Sequence, residues 1–290
     1  MNPHQGDEQK AEGRSLLFGD PRQWEDFRSR HPDFISRSEN LVNTVKLAFQ
    51  PREVVELVDK ILFHIARLCA EEFSEILLLC GNGYGIGAEK LLRGLYERAV
   101  TATYLHEHPE EAENYLHFYS ISNYKFMIAV EETLAKDTFP IDQKQQIVKE
   151  YDEVKSKFMV TACSGCGTQR LNHTWSKLDI VSMAKKSEAL AQLLVPAYYA
   201  GLRETHSTMG AIFSRLSADE AAADEGLIFA GSPQPERADE ALLTAHKILL
   251  IVLELHKNHF HIDGLNAHLQ ACFADFFVIW GNNSQGKVDC

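Results

Sequence analysis

The sequence predicts an all-α fold: a helical bundle of long antiparallel helices with an irregular connector around residues 160–177. Three observations carry this. Apolar residues recur at three- and four-residue steps in nearly every apolar segment. Most prolines and glycines fall at the ends of those segments, where helices start and stop. No strand pattern is visible, and no unit of 20 to 50 residues repeats as a solenoid would require.

The first twenty residues are polar and contain glycine, so residues 1–20 are expected to form a disordered N-terminal tail. Order is expected from Pro21, where PRQWEDF places a proline in a first helical turn. Between Asp33 and Gln50, Phe34, Ile35, Leu41, Val42, Val45 and Phe49 mark one helical face, and Pro51 is expected to open the next helix. That helix carries a broad stripe from Val54 to Leu79 and stops at GNGYGIG. These glycines fit neither the dinucleotide nor the phosphate-loop spacing, and Gly85 and Gly87 are expected to permit close helix approach instead.

The chain restarts as GAEKLLRGLYERAVTATYLHEH, burying Leu91, Leu92, Leu95, Ala99 and Val100, and Pro109 ends it. PEEAENYLHFYSISNYKFMIAVEETLAK follows, with acids suited to the positive end of a helix dipole. PIDQKQQIVKEYDEVKSKF is charged nearly all round and is expected outside. VTACSGCGTQRLNHTWSK breaks the helical period. A short helix over 178–187 leads into a longer one bent at Pro196, a linker over 217–235 and two final apolar helices. His256, His259 and His261 fall near the end of the first of these and are expected to cap it. The resulting organisation is a single all-α domain over 21–280 with a C-terminal tail over 281–290.

The 45% hydrophobic and 24% charged fractions are those of a globular chain. No apolar run suits a signal peptide or a membrane span, and six sparse cysteines do not make a disulfide scaffold. A cytoplasmic location with reduced thiols is therefore expected. The net charge of −12 repels phosphate backbones, which disfavours nucleic acid. No cofactor is expected. A protein or a small polar ligand is left as partner, with no membrane association and with self-association open.

The run GNGYGIGAEKLLRGLYERAVTATYLHEHPEEAENYLHF resembles the central segment of a bacterial helical family catalogued as domain of unknown function 5677. The resemblance rests on a glycine-marked turn followed by Arg93 and Glu97, then Tyr104 and Pro109, with Trp175, Tyr199, His206 and Ser207 downstream. It covers roughly residues 50 to 215. Where the pattern has a serine shortly before the histidine, Arg203 stands in that neighbourhood. The resemblance implies a helical fold and no established reaction.

Arg93, Glu97, Tyr104, Trp175, Tyr199 and His206 are accordingly the candidate polar or ligand-binding cluster. His206 shares a helical stripe with Tyr199, Leu202, Met209 and Phe213, which aims an imidazole where a core residue belongs. Its bland explanation is a core histidine satisfied by neighbouring groups. Arg93 and Glu97 make an i,i+4 pair, which on a surface contributes only about 0.2–0.5 kcal/mol, while the continuation of their face through Val100 and Tyr104 leaves a place inside the bundle equally open. Cys163, Cys166 and His173 are weak metal candidates, because a structural zinc site needs four ligands.

The favoured function is a non-catalytic interaction or small-ligand-binding module with a buried polar cluster. The alternative is a metal-independent RNase resembling the HEPN group, whose members use an R-x4-6-H motif. Arg98 and His106 miss that spacing, so Arg93 and His206 would have to meet from separate helices.

Overall fold

The computed structural model describes residues 21–134, 138–162, 165–206, 209–217, 228–229 and 234–281. Helices α1 (Pro21–Arg30) and α2 (Pro32–Ala48) lead to the long α3 (Leu57–Gly81) and α4 (Gly85–Glu107). Helices α5 (Ala112–Thr133) and α6 (Ile141–Val154) follow, then a hairpin of β1 (Met159–Thr161) and β2 (Gln169–Leu171). The short α7 (Ile180–Ala184) and α8 (Glu188–Ala191) precede a π-helical turn over Leu194–Tyr199, α9 (Ala200–Thr205) and α10 (Met209–Phe213). Strands β3 (Leu216–Ser217) and β4 (Ile228–Phe229) pair before the closing helices α11 (Pro235–Phe260) and α12 (Leu265–Trp280). The fold is the expected all-α bundle, and among the described residues its strands are confined to two short antiparallel pairs.

Helices α3, α4 and α11 pack on one another and form the centre. A tight turn makes α3 and α4 antiparallel: Gly83 takes φ 75°, Asn82 Nδ2 donates to Leu78 O, and Tyr84 N donates to Leu79 O at 2.9 Å. Three mutually packed helices cannot all be antiparallel, and here α4 and α11 run the same way. Gly85 meets Ala238 near their N-terminal ends, while His106 meets His259 near their C-terminal ends. At that second end His259 Nε2 also reaches Asp59 Oδ1 at 2.8 Å, joining the start of α3 to the ends of α4 and α11.

Helix α12 lies antiparallel on α2, where Thr44 and Cys272 are in contact and Asp275 accepts from Asn40 at 2.7 Å. One apolar core runs from Phe27 to Trp280, and a smaller cluster of Ile121, Val154 and Phe158 sits under the α5–α6 pair. Among the described residues no helix is long and apolar enough to cross a membrane.

Three local expectations need correction. Pro51 does not open α3: Phe49 N donates to Val45 O and ends α2, Arg52 Nη2 donates back to Ala48 O at 2.7 Å, and the next helix starts six residues after Pro51, at Leu57. Gly85 permits close approach, since a Cβ there would lie 2.5 Å from Ala238 N, but at Gly87 the nearest foreign atom would be an ordinary 3.6 Å away. Of the three histidines expected to cap α11, His261 closes it in the left-handed region, His259 pairs with Asp59, and His256 is fully buried.

Pro196 sits in the π turn, where the missing N–H breaks the regular ladder as a helix-interior proline must. Just beyond it Gly201 lets α9 touch α4, because a Cβ there would lie 2.4 Å from Glu89 O. Gly201→Ala is therefore expected to destabilise the fold by about 1–3 kcal/mol through forced backbone separation. Gly87→Ala should be neutral or stabilising through helix propensity. Chemical denaturation of the two variants checks the contrast.

Two buried imidazoles link the core to pH. His246 accepts a hydrogen bond from Trp280 Nε1 at 3.1 Å, and His256 bonds Ala48 O through Nε2 at 3.1 Å. Burial pushes both down to about 4. The unfolded chain therefore takes up protons near pH 6.5 that the folded chain refuses until about 4, so stability is lost across that interval as pH falls. The loss is roughly 3 kcal/mol per histidine at 1.36 kcal/mol per pKa unit. Melting temperature should fall from pH 6.5 to 4, and the double variant His246→Gln/His256→Gln should flatten the slope.

Candidate functional site

Helix α4 is packed by α3, α9 and α11, so its polar residues emerge only along narrow strips. On one strip Arg93 Nε donates to Glu97 Oε1 at 2.8 Å, and the guanidinium carbon lies 5.0 Å over the Tyr198 ring. The π turn presents that ring. Side-chain exposures of 22% and 36% place the pair at the edge of the bundle rather than inside it.

One residue further, Arg98 turns to α3 and forms an ion pair with Glu72. Gly94 makes the space, since a Cβ there would lie 2.8 Å from Glu72 Oε1 and 3.1 Å from Arg98 Nη1. Burial raises the Glu72 carboxyl, and the neighbouring Arg98 charge opposes that rise without cancelling it.

Above these charges the connector folds over α4 and α5. Asn172 Nδ2 and Thr174 Oγ1 both donate to Ser176 O, at 2.9 and 2.7 Å, which fixes the turn that carries Trp175. Trp175 meets Tyr115 edge to face at 5.2 Å and 89°, and Tyr104 at 5.8 Å and 65°. Lys186 Nζ lies 5.3 Å over the Tyr104 ring. Burial raises the Tyr115 hydroxyl above its usual range, against the opposing Arg98 charge. Between these aromatic rings and α4 lies a cleft of about 390 Å³, with Glu97, Arg98 and Thr101 on one wall and Tyr115, His173 and Trp175 among the others. Such a volume suits a small molecule held by a few placed polar groups on an apolar lining.

The sequence candidates divide between this cleft and places away from it. Arg93 is joined to Glu97, and Tyr104 to Trp175. Tyr199 is exposed and packs edge-on against Tyr198, which takes the position over Arg93. His206 is exposed in an extended residue closing α9, and among the described residues no hydrogen bond or ion pair joins it to Arg93 or Glu97. The π turn and the end of α9 at Thr205 break the stripe that would have aimed it inward.

Cys163 lies outside the described residues, as does Ser207. Cys166 is exposed with its sulfur 2.9 Å from the Thr168 hydroxyl. Among the described residues no group of three or more His, Cys, Asp or Glu side chains is arranged to hold a metal ion. Of the other pair considered, Arg98 is engaged by Glu72 and His106 Nδ1 by His259 Nδ1 at 3.0 Å.

A second polar cluster escaped sequence reasoning. Arg237, in the first turn of α11, donates through Nε and Nη2 to Glu89 on α4 and through Nη2 to Glu204 on α9 at 2.9 Å. Glu204, whose side chain has no solvent exposure, also accepts from Ser214 Oγ and Arg215 Nη1 at 3.0 Å each. The available signal was an acid on an apolar stripe: Glu89 precedes Leu92 and Tyr96 at helical spacing, and Glu204 follows Ala197 and Gly201. An acid in that position announces a buried counter-charge without naming it.

The fold defines the class: an all-α bundle whose connector covers a cleft of about 390 Å³ on its central helix. Within that class the chain belongs to the Family of unknown function (DUF5677), whose model matches residues 59–223. Every residue lining the cleft falls in the matched segment, while Arg237 and His259 fall outside it. Neither the curated proteins nor the solved structures gave a match.

The Glu204 cluster yields a prediction. Burial works to raise this carboxyl, but the hydrogen bonds from Arg237 and Ser214 and the charges of Arg237 and Arg215 outweigh it and hold it below its usual value. Its contribution is present at neutral pH and disappears as pH falls through that depressed range. Glu204→Gln should cost about 1–3 kcal/mol at pH 7, less than a fully isolated buried charge would because Arg237 retains Glu89. The difference from wild type should shrink in urea melts below pH 4.5.

Proposed function

We propose that the protein is a non-catalytic binding module that takes a small polar ligand in the cleft between α4, α5 and the connector. The observation that carries this reading is the lining itself: perpendicular aromatic rings at Tyr115 and Trp175 face charged residues whose partners are already in place. Arg93 holds Glu97, and Glu72 holds Arg98. A carboxylate and a guanidinium already engaged with each other have fewer positions left for a reacting atom. Both still position a ligand by hydrogen bonding.

RNA cleavage by Arg93 and His206 is the less favoured reading. It requires both side chains on one phosphate, whereas Arg93 is engaged by Glu97 and Tyr198 and His206 lies at the exposed end of α9. The net charge of −12 further opposes an RNA substrate.

The test is a thermal-shift screen with amino acids, nucleosides, nucleotides and small aromatic acids and amines. A ligand at 100 times its Kd stabilises by about 2.7 kcal/mol, which for a chain of this size raises Tm by several degrees. That rise should vanish in Trp175→Ala. No Tm change across the panel, or cleavage of single-stranded RNA that is lost in His206→Ala, would overturn the proposal.

A further inference from the structure

Resting on the reading of the cleft as a ligand site, we infer the chemical class of its ligand: a net-neutral zwitterion carried on a single aromatic ring, as in an aromatic α-amino acid. The charges that reach the cleft come in balanced pairs. Arg93 with Glu97 and Arg98 with Glu72 sum to zero. A ligand with net charge would bring an uncompensated ion into a partly shielded space, which costs more than its contacts return. A zwitterion adds none.

The placement of those charges fixes how the ligand's own charges must lie. Glu97 and Arg98 are consecutive residues of α4 and both line the cleft. They are also the more exposed members of their pairs, at 36% and 38%, against 22% for Arg93 and 15% for Glu72. Arg93 bonds Oε1 of Glu97, and the second oxygen accepts nothing from the described residues. Arg98 likewise spends Nη1 on Glu72 and retains further N–H donors. Neighbouring side chains of opposite sign match a cation and an anion held on one carbon. The ammonium donates to Glu97, and the carboxylate accepts from Arg98.

The apolar part follows from ring geometry. Trp175 and Tyr115 stand at 89° to each other, forming a corner rather than two parallel walls. A corner accepts one ring face-on to the first and edge-on to the second, the arrangement aromatic pairs prefer. A sandwiched purine would need facing rings. A phosphorylated ligand is further disfavoured because Glu97 stands beside Arg98 and repels its anionic group.

Isothermal titration calorimetry with four probes tests the inference: L-phenylalanine, phenethylamine with the cation alone, 3-phenylpropionate with the anion alone, and adenosine monophosphate. L-phenylalanine is expected to bind at least tenfold more tightly than each of the others. Glu97→Gln should weaken L-phenylalanine about tenfold while changing 3-phenylpropionate less than threefold, a selectivity change that a loss of folding does not produce. Trp175→Ala should abolish binding and Trp175→Phe should restore part of it, with the unliganded melting temperature confirming that each variant folds.

Equal or tighter binding of a singly charged probe or of the nucleotide, dependent on Trp175, overturns the zwitterion and leaves the cleft a ligand site of other chemistry. Absence of L-phenylalanine binding also overturns it. If no compound of the wider thermal-shift panel binds either, the reading of the cleft as a ligand site falls too.

Discussion

Helix α4 is packed by α3, α9 and α11 along most of its length, and it carries four charged residues into that setting: Glu89, Arg93, Glu97 and Arg98. A charge shielded from water persists only with a counter-charge, and each of these four has one. Glu89 takes Arg237, Arg98 takes Glu72, and Arg93 and Glu97 take each other. The rest of the architecture adjusts to these pairings. Gly94 is small so that Glu72 fits, and Gly201 is small so that α9 can bring Glu204 to the same guanidinium that holds Glu89.

The two ends of the chain's centre are thus treated differently. Near the start of α4 the carboxylates Glu89 and Glu204 are buried, and Arg237 ties them together across three helices, a role in stability and register. Toward its middle Glu97 and Arg98 are the more exposed members of their pairs and line the cleft. The connector completes the second arrangement: its turn, fixed by Asn172 and Thr174, carries Trp175 to Tyr104 and Tyr115. A loop laid over a rigid helix is a common way to combine adaptable side chains with a fixed base.

What the sequence made legible was local. The helices follow from apolar residues at three- and four-residue steps, and the Arg93–Glu97 bond follows from an i,i+4 spacing. Glu72 and Arg98 stand 26 positions apart, and Glu89 and Arg237 stand 148 apart. No periodicity connects such residues, so those pairs were out of reach even though Glu89 lies visibly on an apolar stripe. His206 shows the opposite failure. Its stripe assumes an unbroken helix, and the π turn at Pro196 with the helix end at Thr205 rotates the imidazole out of the line that Tyr199 and Leu202 suggest.

The meeting of Asp59, His259 and His106 has a consequence for where one proton must sit. With both rings in their neutral form, a hydrogen on His259 Nε2 directed at Asp59 Oδ1 leaves a lone pair on His259 Nδ1. His106 must then supply the hydrogen of the 3.0 Å contact from its own Nδ1. The tautomer of a surface imidazole on α4 is therefore dictated by a carboxylate in the first turn of α3 that it does not touch, with α11 as intermediary. The unshared electron pair of His106 is then left on Nε2, its position set through the contact with His259.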